Sequence, residues 1–444
     1  MKEIFAAAAM LVLCAESYSA ELFVYQAPDR EQLMSPADRS ALGKLRSDKH
    51  IASAYPIVLD FAAFADSELT LRLPDGQSVT CSLTKAVTYG MKSWAGEIPG
   101  GGSCIFSYED SSTIAGHFNV GKRYFDIIVP TLGTFILTEL IPRRYNEDGD
   151  TTPPAKPSSS ARASDSRPAA TASSASQPII RVFTVWADSV IPTSQVSGQT
   201  NALLFNLNAA LTRSGVNAIA VNAGWMIVPT SPNYGGSVGS ALVNMVGDNS
   251  IINGRNEHLA DVTMLVYASP TIDAGLSDAA PAAYNTAFAV VDYNAAFNNF
   301  SYEHEFGHLL GGQHQISGGI SNYPSLSPKS YQHGYGFSYT AGGTLMNRCV
   351  HDIMAVPMQA CDRGYDLDLR QGAYASPSYI WPSDGVQPPW PLGDATYSDV
   401  ARTMSEQAPS TAMFHAARIA PLPPVVPPQS LMRKILGSIL QFWQ

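Results

Sequence analysis

From Glu21 to about Arg144 the chain alternates short apolar runs with turn residues. "IVLDF", "ELTLRL", "CIFSY", "YFDIIV" and "TFILTEL" mix alternating and continuous apolar character, punctuated by Pro-Asp-Gly and Gly-Gly-Gly. Short runs with that punctuation predict strands, so residues 21–145 are expected to form a small, mostly β domain. The pattern then stops. "NEDGDTTPPAKPSSSARASDSRPAATASSASQP", Asn146 to Pro178, has hardly an apolar side chain and cannot bury enough surface to offset chain entropy, which predicts an extended linker over 146–178. Beyond it, "IIRVFTVWA", "AIAVNAGWMIV", "ADVTMLVYA" and "AFAVVDY" predict buried strands. "TNALLFNLNAALTRSG" has helical spacing and stops at Gly215, and the stretch from Asn298 to Leu310 predicts a further helix. Strands with interspersed helices over 179–418 predict an α+β domain with an α/β-type twisted sheet. The tail, 419–444, is a Pro-rich spacer followed by a short apolar stretch with Arg433 and Lys434. It suits either contact with a membrane surface or a partner, or a helix folded back on its own domain.

Composition narrows the class. The net charge of −10 is spread along the chain with no basic run, which argues against nucleic acid as the main partner. At the N-terminus a lysine precedes an apolar run from Ile4 to Ala15, with small residues at Ser17, Ser19 and Ala20. That is the layout of a secretory signal peptide over residues 1–20, too short in its apolar part to span a bilayer. The expected address is therefore extracellular, with the periplasm as the other exported compartment. With Cys14 removed, Cys81, Cys104, Cys349 and Cys361 remain, an even set that favours disulfides. Neighbours in sequence suggest Cys81–Cys104 and Cys349–Cys361, with the other pairings open.

The chemistry concentrates in "HEFGHLLGGQH", His304 to His314. Positions four apart share a helix face, so His304 and His308 can present two imidazole nitrogens to one tetrahedral zinc. Glu305 is rotated by roughly 100° from the first of them. It can sit beside an open metal position, take a proton from water there and return it to a leaving amine. His314 lies too far along a straight helix to reach the same ion, but Gly311 can adopt positive φ and turn the chain back, with Gly312 easing the turn. Three histidines and a free fourth position are the composition of a catalytic Zn2+ site rather than a structural one. His50, His117, His258 and His415 are isolated and expected to be surface or structural residues. His333 and His351 lie nearer the motif, where a plain hydrogen-bonded histidine is the expectation.

At these residues the sequence resembles the metzincin clan of zinc endopeptidases, and within it the bacterial reprolysin-like group that includes the peptidyl-Asp metalloendopeptidases. "SGVNAI", "HLADVTMLVY", "AFAVVDYNAAFNNFSYEHEFGH", "YQHGYGF" and "YSDVARTMSEQAPSTAMF" carry the likeness over most of Ile179 to Arg418. Within residues 21–145, the stretch "KSWAGEIPGGG…IAGHFNVGKRYFDIIVPTLGTFILTEL" is similar, more weakly, to the propeptide-like β domains that precede such proteases. The resemblance implies a metzincin-like catalytic domain with zinc on His304, His308 and His314 and Glu305 as general base. It also implies a methionine turn beneath the metal, for which Met346 and Met354 compete and Met354 is favoured. Two departures stand out. Gln315 replaces the aspartate usual after the third histidine, which is expected to loosen local packing. Val356 or Arg348 stands where some members carry a tyrosine ligand, so a tyrosine ligand is not expected. An aspartate preference would require a cationic pocket residue, with Arg363, Arg370 and Arg402 as candidates.

The expected function is a secreted, monomeric zinc endopeptidase acting on protein or peptide substrates. The rival is an exported adhesion or surface-binding protein on the same scaffold, with proteolysis secondary. The N-terminal region is either a propeptide released by cutting the linker or a permanent module.

Overall fold

The computed structural model describes residues 20–47, 51–89, 91–99, 102–121, 123–131, 133–141, 177–315, 329–340, 347–356, 367–381 and 390–419. The expected signal peptide, linker and C-terminal tail therefore fall almost wholly outside the described residues, as do Met346, Cys361 and Arg363.

The first ten strands form one sheet. They are β1 (Ala20–Glu21), β2 (Phe23–Tyr25), β3 (Ile51–Leu59), β4 (Glu68–Arg72), β5 (Ser78–Tyr89), β6 (Met91–Ile98), β7 (Gly102–Asp110), β8 (Thr113–Val120), β9 (Arg123–Ile128) and β10 (Phe135–Leu140). One helix, α1 (Pro36–Ser47), precedes β3. The order β1-β4-β5-β6-β7-β8-β9-β10-β3-β2 places consecutive segments β1 and β2 at opposite ends. Only Leu22 separates them: its N–H donates to Thr70 O (3.0 Å) and its carbonyl accepts from Asp60 N (2.8 Å). One continuous run of chain thus serves both sheet ends and closes them into a barrel. The inside is filled by Phe23, Trp94, Phe106, Phe118 and Phe125, all buried, so the barrel is a packed core. A disulfide joins Cys81 on β5 to Cys104 on β7, the first of the expected pairs. Cys349 is disulfide-bonded too.

The second sheet comprises β11 (Ile179–Ala187), β12 (Ile219–Val228), β13 (Val262–Tyr267), β14 (Gly275–Ser277) and β15 (Phe288–Asp292), in the order β12-β11-β13-β15-β14. Four strands run parallel and β14 pairs antiparallel at one end. Side chains alternate across the sheet, and both faces are covered. Ile180, Val182 and Trp186 on one face of β11 meet α2 (Val196–Ser214). Phe183 and Val185 on the other meet α3 (Val238–Gly247), which is followed by α4 (Asn249–Glu257). Gly215 ends α2 at φ 74°, a left-handed C-cap that suits glycine.

The stretch from Asn298 to Leu310 is not one helix as expected. It divides into α5 (Tyr293–Asn298) and α6 (Ser301–Leu309). Phe300 lies between them at φ 53°, ψ 27°, a left-handed conformation that stops one helix before the next begins. The remaining elements are β16 (Gly336–Thr340), β17 (Asn347–His351), β18 (Leu367–Arg370), β19 (Ser376–Trp381), β20 (Trp390–Leu392), α7 (Val400–Thr411) and α8 (Phe414–Ile419). The α7 residues Val400, Ala401 and Met404 join the same core as α2 and α6. The described residues thus form a mixed α/β structure. No helix among them is long and apolar enough to cross a membrane.

Candidate metal centre

Every residue of α6 is buried, including His304, Glu305 and His308. One helical turn puts the Nε2 atoms of His304 and His308 3.1 Å apart. The helix ends at Leu309 with Leu310 as its cap, and Gly311 at φ 92° reverses the chain, in the manner its place in the motif requires. The returning strand bridges Gln313 to His333 and delivers His314, whose Nε2 stands 3.2 Å from that of His304 and 3.1 Å from that of His308. These three residues form a group able to hold a metal ion.

Their other nitrogens decide the tautomer. His304 Nδ1 donates to Ile353 O (2.8 Å), and His308 Nδ1 donates to Gly312 O (2.8 Å). A carbonyl only accepts, so Nδ1 of His308 carries the proton and its Nε2 keeps the lone pair; His304 Nδ1 also has the donor Arg370 Nη2 at 3.0 Å, and the Ile353 carbonyl, to which Arg370 donates as well, favours the same tautomer there. Lone pairs converging at this distance repel one another without a cation between them. The donor set therefore fits a divalent metal, with the outer carbonyls orienting the rings.

Glu305 is 1 % exposed and borders β14. A Cβ on Gly275 would fall 2.6 Å from its Oε1, so the bare glycine backbone makes room for the carboxylate. Gly307, one residue before His308, is the matching case below the helix. A Cβ there would collide with Met354 Sδ and lie 2.9 Å from Tyr374. Glycine inside a helix costs about 1 kcal/mol relative to alanine, and that penalty is the one signal in the sequence that something approaches closely here.

Two supporting residues, Asp352 and Glu303, were not singled out in the sequence. Asp352, fully buried, accepts from Tyr335 N and Ala355 N through Oδ1 and from Ala375 N through Oδ2, which fixes the loop around Met354. Burial pushes its carboxyl up. His333 Nδ1 donates to His314 O (2.9 Å) and holds the third histidine's backbone, and His351 Nδ1 donates to Asp352 O (2.8 Å). Glu303 is buried with neither carboxylate oxygen hydrogen-bonded among the described residues. Burial pushes its pKa up to about 8, with Arg370 pulling the other way.

Gln315 corrects an expectation. Its amide donates to Val356 O (3.2 Å) and accepts from Val356 N (2.8 Å). An ionised aspartate could only accept, so glutamine ties the returning strand to the Met354 loop rather than loosening it. Of the two roles expected for His117, surface or structural, it takes the structural one: it is buried, Nδ1 donates to Asp126 (2.7 Å) and Nε2 lies 2.7 Å from the Gln199 side-chain oxygen. Of the arginines expected to read an acidic substrate, Arg402 is held by Glu406 (2.9 Å) and stacks on Tyr331. Arg370 donates to Asn299 O (2.6 Å) and to Ile353 O, the carbonyl that also orients His304.

No family model matches the chain. It is similar in sequence to proteins named peptidyl-Asp metalloendopeptidase. One from Stenotrophomonas maltophilia is 34 % identical over 106 residues, 24 % of each chain. One from Xanthomonas campestris pv. campestris is 23 % identical over 395 residues, 84 % of this chain and 88 % of that protein. The Stenotrophomonas match thus spans about a quarter of that relative's length. Among solved structures, metalloproteinase-II from Bacteroides fragilis aligns with a TM-score of 0.33 at 11 % identity, over 58 % of this chain and 85 % of that one. A chaperone–substrate complex aligns with a TM-score of 0.40 at 12 % identity, over 78 % and 45 %. The chain's sequence relatives are therefore metallopeptidases.

Proposed function

We propose that the chain is a secreted zinc endopeptidase of the metzincin clan, reprolysin-like, that hydrolyses peptide bonds in proteins. The observation that carries this reading is the convergence of three imidazole Nε2 atoms with a buried carboxylate beside them. A tetrahedral ion with Zn–N bonds of about 2.0–2.1 Å requires nitrogens about 3.3 Å apart. The three Nε2 atoms, 3.1–3.2 Å from one another, suit zinc on that measure. Bound there, the ion would act as a Lewis acid and lower the pKa of water. His304, His308 and His314 hold and orient it, and the carbonyls of Ile353 and Gly312 keep two of those rings in the ligating tautomer. Glu305 removes a proton from the attacking water and hands it to the departing amine nitrogen. Met354, against Gly307, serves as the methionine turn. The relatives' name makes peptide bonds next to aspartate the first substrates to assay.

Replacing Glu305 by glutamine tests the reading, since it keeps the volume and removes the base. The variant is expected to retain metal and lose about 10²–10⁴-fold in hydrolysis of a protein substrate. Undiminished cleavage would refute the assigned mechanism.

A further inference from the structure

The outer face of the barrel is where the molecule carries more than the metal centre requires. Outward positions of a filled barrel ordinarily meet water. Here Ile105 on β7 and Ala115 and His117 on β8 are 8 %, 1 % and 6 % exposed. What covers them is α2. Gln199, Ala202 and Phe205 follow one another at three-residue intervals, the spacing of one helix face. Ala202 and Phe205 form a separate apolar cluster with Ile105, Ala115 and Phe297. The opposite side of the same helix, through Leu203, Leu207 and Leu211, packs into the core of the five-stranded sheet. A helix buried on two sides has two partners, and the barrel is the second.

The contact is specific as well as apolar. His117 stacks on Phe297 with ring centroids 3.9 Å apart, while its two nitrogens meet Asp126 on β9 and Gln199 on α2. Phe297 belongs to α5, the short helix directly before the one that carries His304. A buried imidazole fixed within the barrel through Asp126, with its other nitrogen and its ring face engaged across the joint, is set up for one docking geometry.

We propose that the barrel is a standing partner of α2 and α5, and that it stays bound after any cut in the chain between the two parts instead of leaving as a discarded piece. Its departure would strand the Ala202–Phe205 stripe and Phe297 in water and leave His117 without its partner on α2. The inference concerns association alone and does not depend on what the metal centre catalyses.

The test is a full-length chain carrying a site-specific protease sequence between Asn146 and Pro178, cut under native conditions and passed over a size-exclusion column. The two pieces are expected to co-elute at the position of the uncut chain, both identified by mass spectrometry. In Ala202→Arg, which puts a long cation into the joint, the cut pieces are expected to elute separately while the uncut variant still melts cooperatively. Separation of the cut wild-type pieces would overturn the proposal. So would continued co-elution of the cut Ala202→Arg pieces, which would place the holding contact elsewhere. If Ala202→Arg does not fold, the wild-type arm decides alone, and Ala115→Arg repeats the second arm from the barrel side.

Discussion

Two sets of buried histidine lie on either side of the α5–α6 junction, and they differ in what faces their ring nitrogens. At the barrel joint, His117 has a protein oxygen at each nitrogen and a phenylalanine ring against its face. At the metal centre, His304 and His308 give only Nδ1 to protein oxygens and turn Nε2 toward each other and toward His314. All four are buried; the direction in which Nε2 points makes the difference. A histidine with a protein oxygen at each nitrogen is a joint, whereas three that turn Nε2 toward one another form a group able to hold a metal ion.

That contrast can be broken most sharply at the ligands. His308→Ala is expected to abolish metal retention after dialysis, whereas His117→Ala leaves the metal content unchanged; equal losses in both would erase the distinction. Next in size is Gly275→Ala, whose new methyl would overlap Glu305. Metal should stay while kcat falls about 100-fold, the scale expected of a base displaced by about 1 Å. Unaltered turnover would show that the carboxylate has room to move. His117→Ala should cost about 1–3 kcal/mol in denaturant unfolding, because Asp126 loses a buried donor. A change below that range would mean water replaces the ring.

The smallest effect concerns Glu303. Its folded pKa of about 8 stands above the ordinary 4.5, so the folded chain holds a proton that the unfolded chain releases. Stability is therefore greatest below the lower value, declines as pH rises between the two, and levels off above the higher one. Glu303→Gln is expected to flatten that decline, read as the thermal midpoint across the interval; an unchanged slope would assign the decline to another group.

Much of this was legible in the chain. Long apolar runs located β11, β13 and β15 to within a residue or two, because strands buried on both faces need little beyond hydrophobicity to be recognised. Gly215 and Gly311 sit at left-handed positions where their sequence settings demanded a turn. The grouping of His304, His308 and His314 was readable from the helical spacing of the first two and the glycine turn before the third. Strands β5 and β6 were not picked out, because their sequences intersperse single or paired apolar residues with Ser, Thr, Lys and Gly and so lack a long apolar run. The break at Phe300 was invisible too, as an aromatic residue carries no preference for a left-handed conformation and only the surrounding contacts impose it. Gln315 and Asp352 act on main-chain groups about 20 to 40 residues away, a relation that no local pattern encodes.

The run from Ala20 to Tyr25 holds a lesson about trimming. Because it supplies both seams of the barrel, a mature chain shortened past Tyr25 would lose its pairing with β3 and with β4 together. Two open strand edges would then replace a closed wall, each able to recruit a strand from another molecule. A few residues beside the expected leader cut thus separate a self-contained particle from one prone to polymerise.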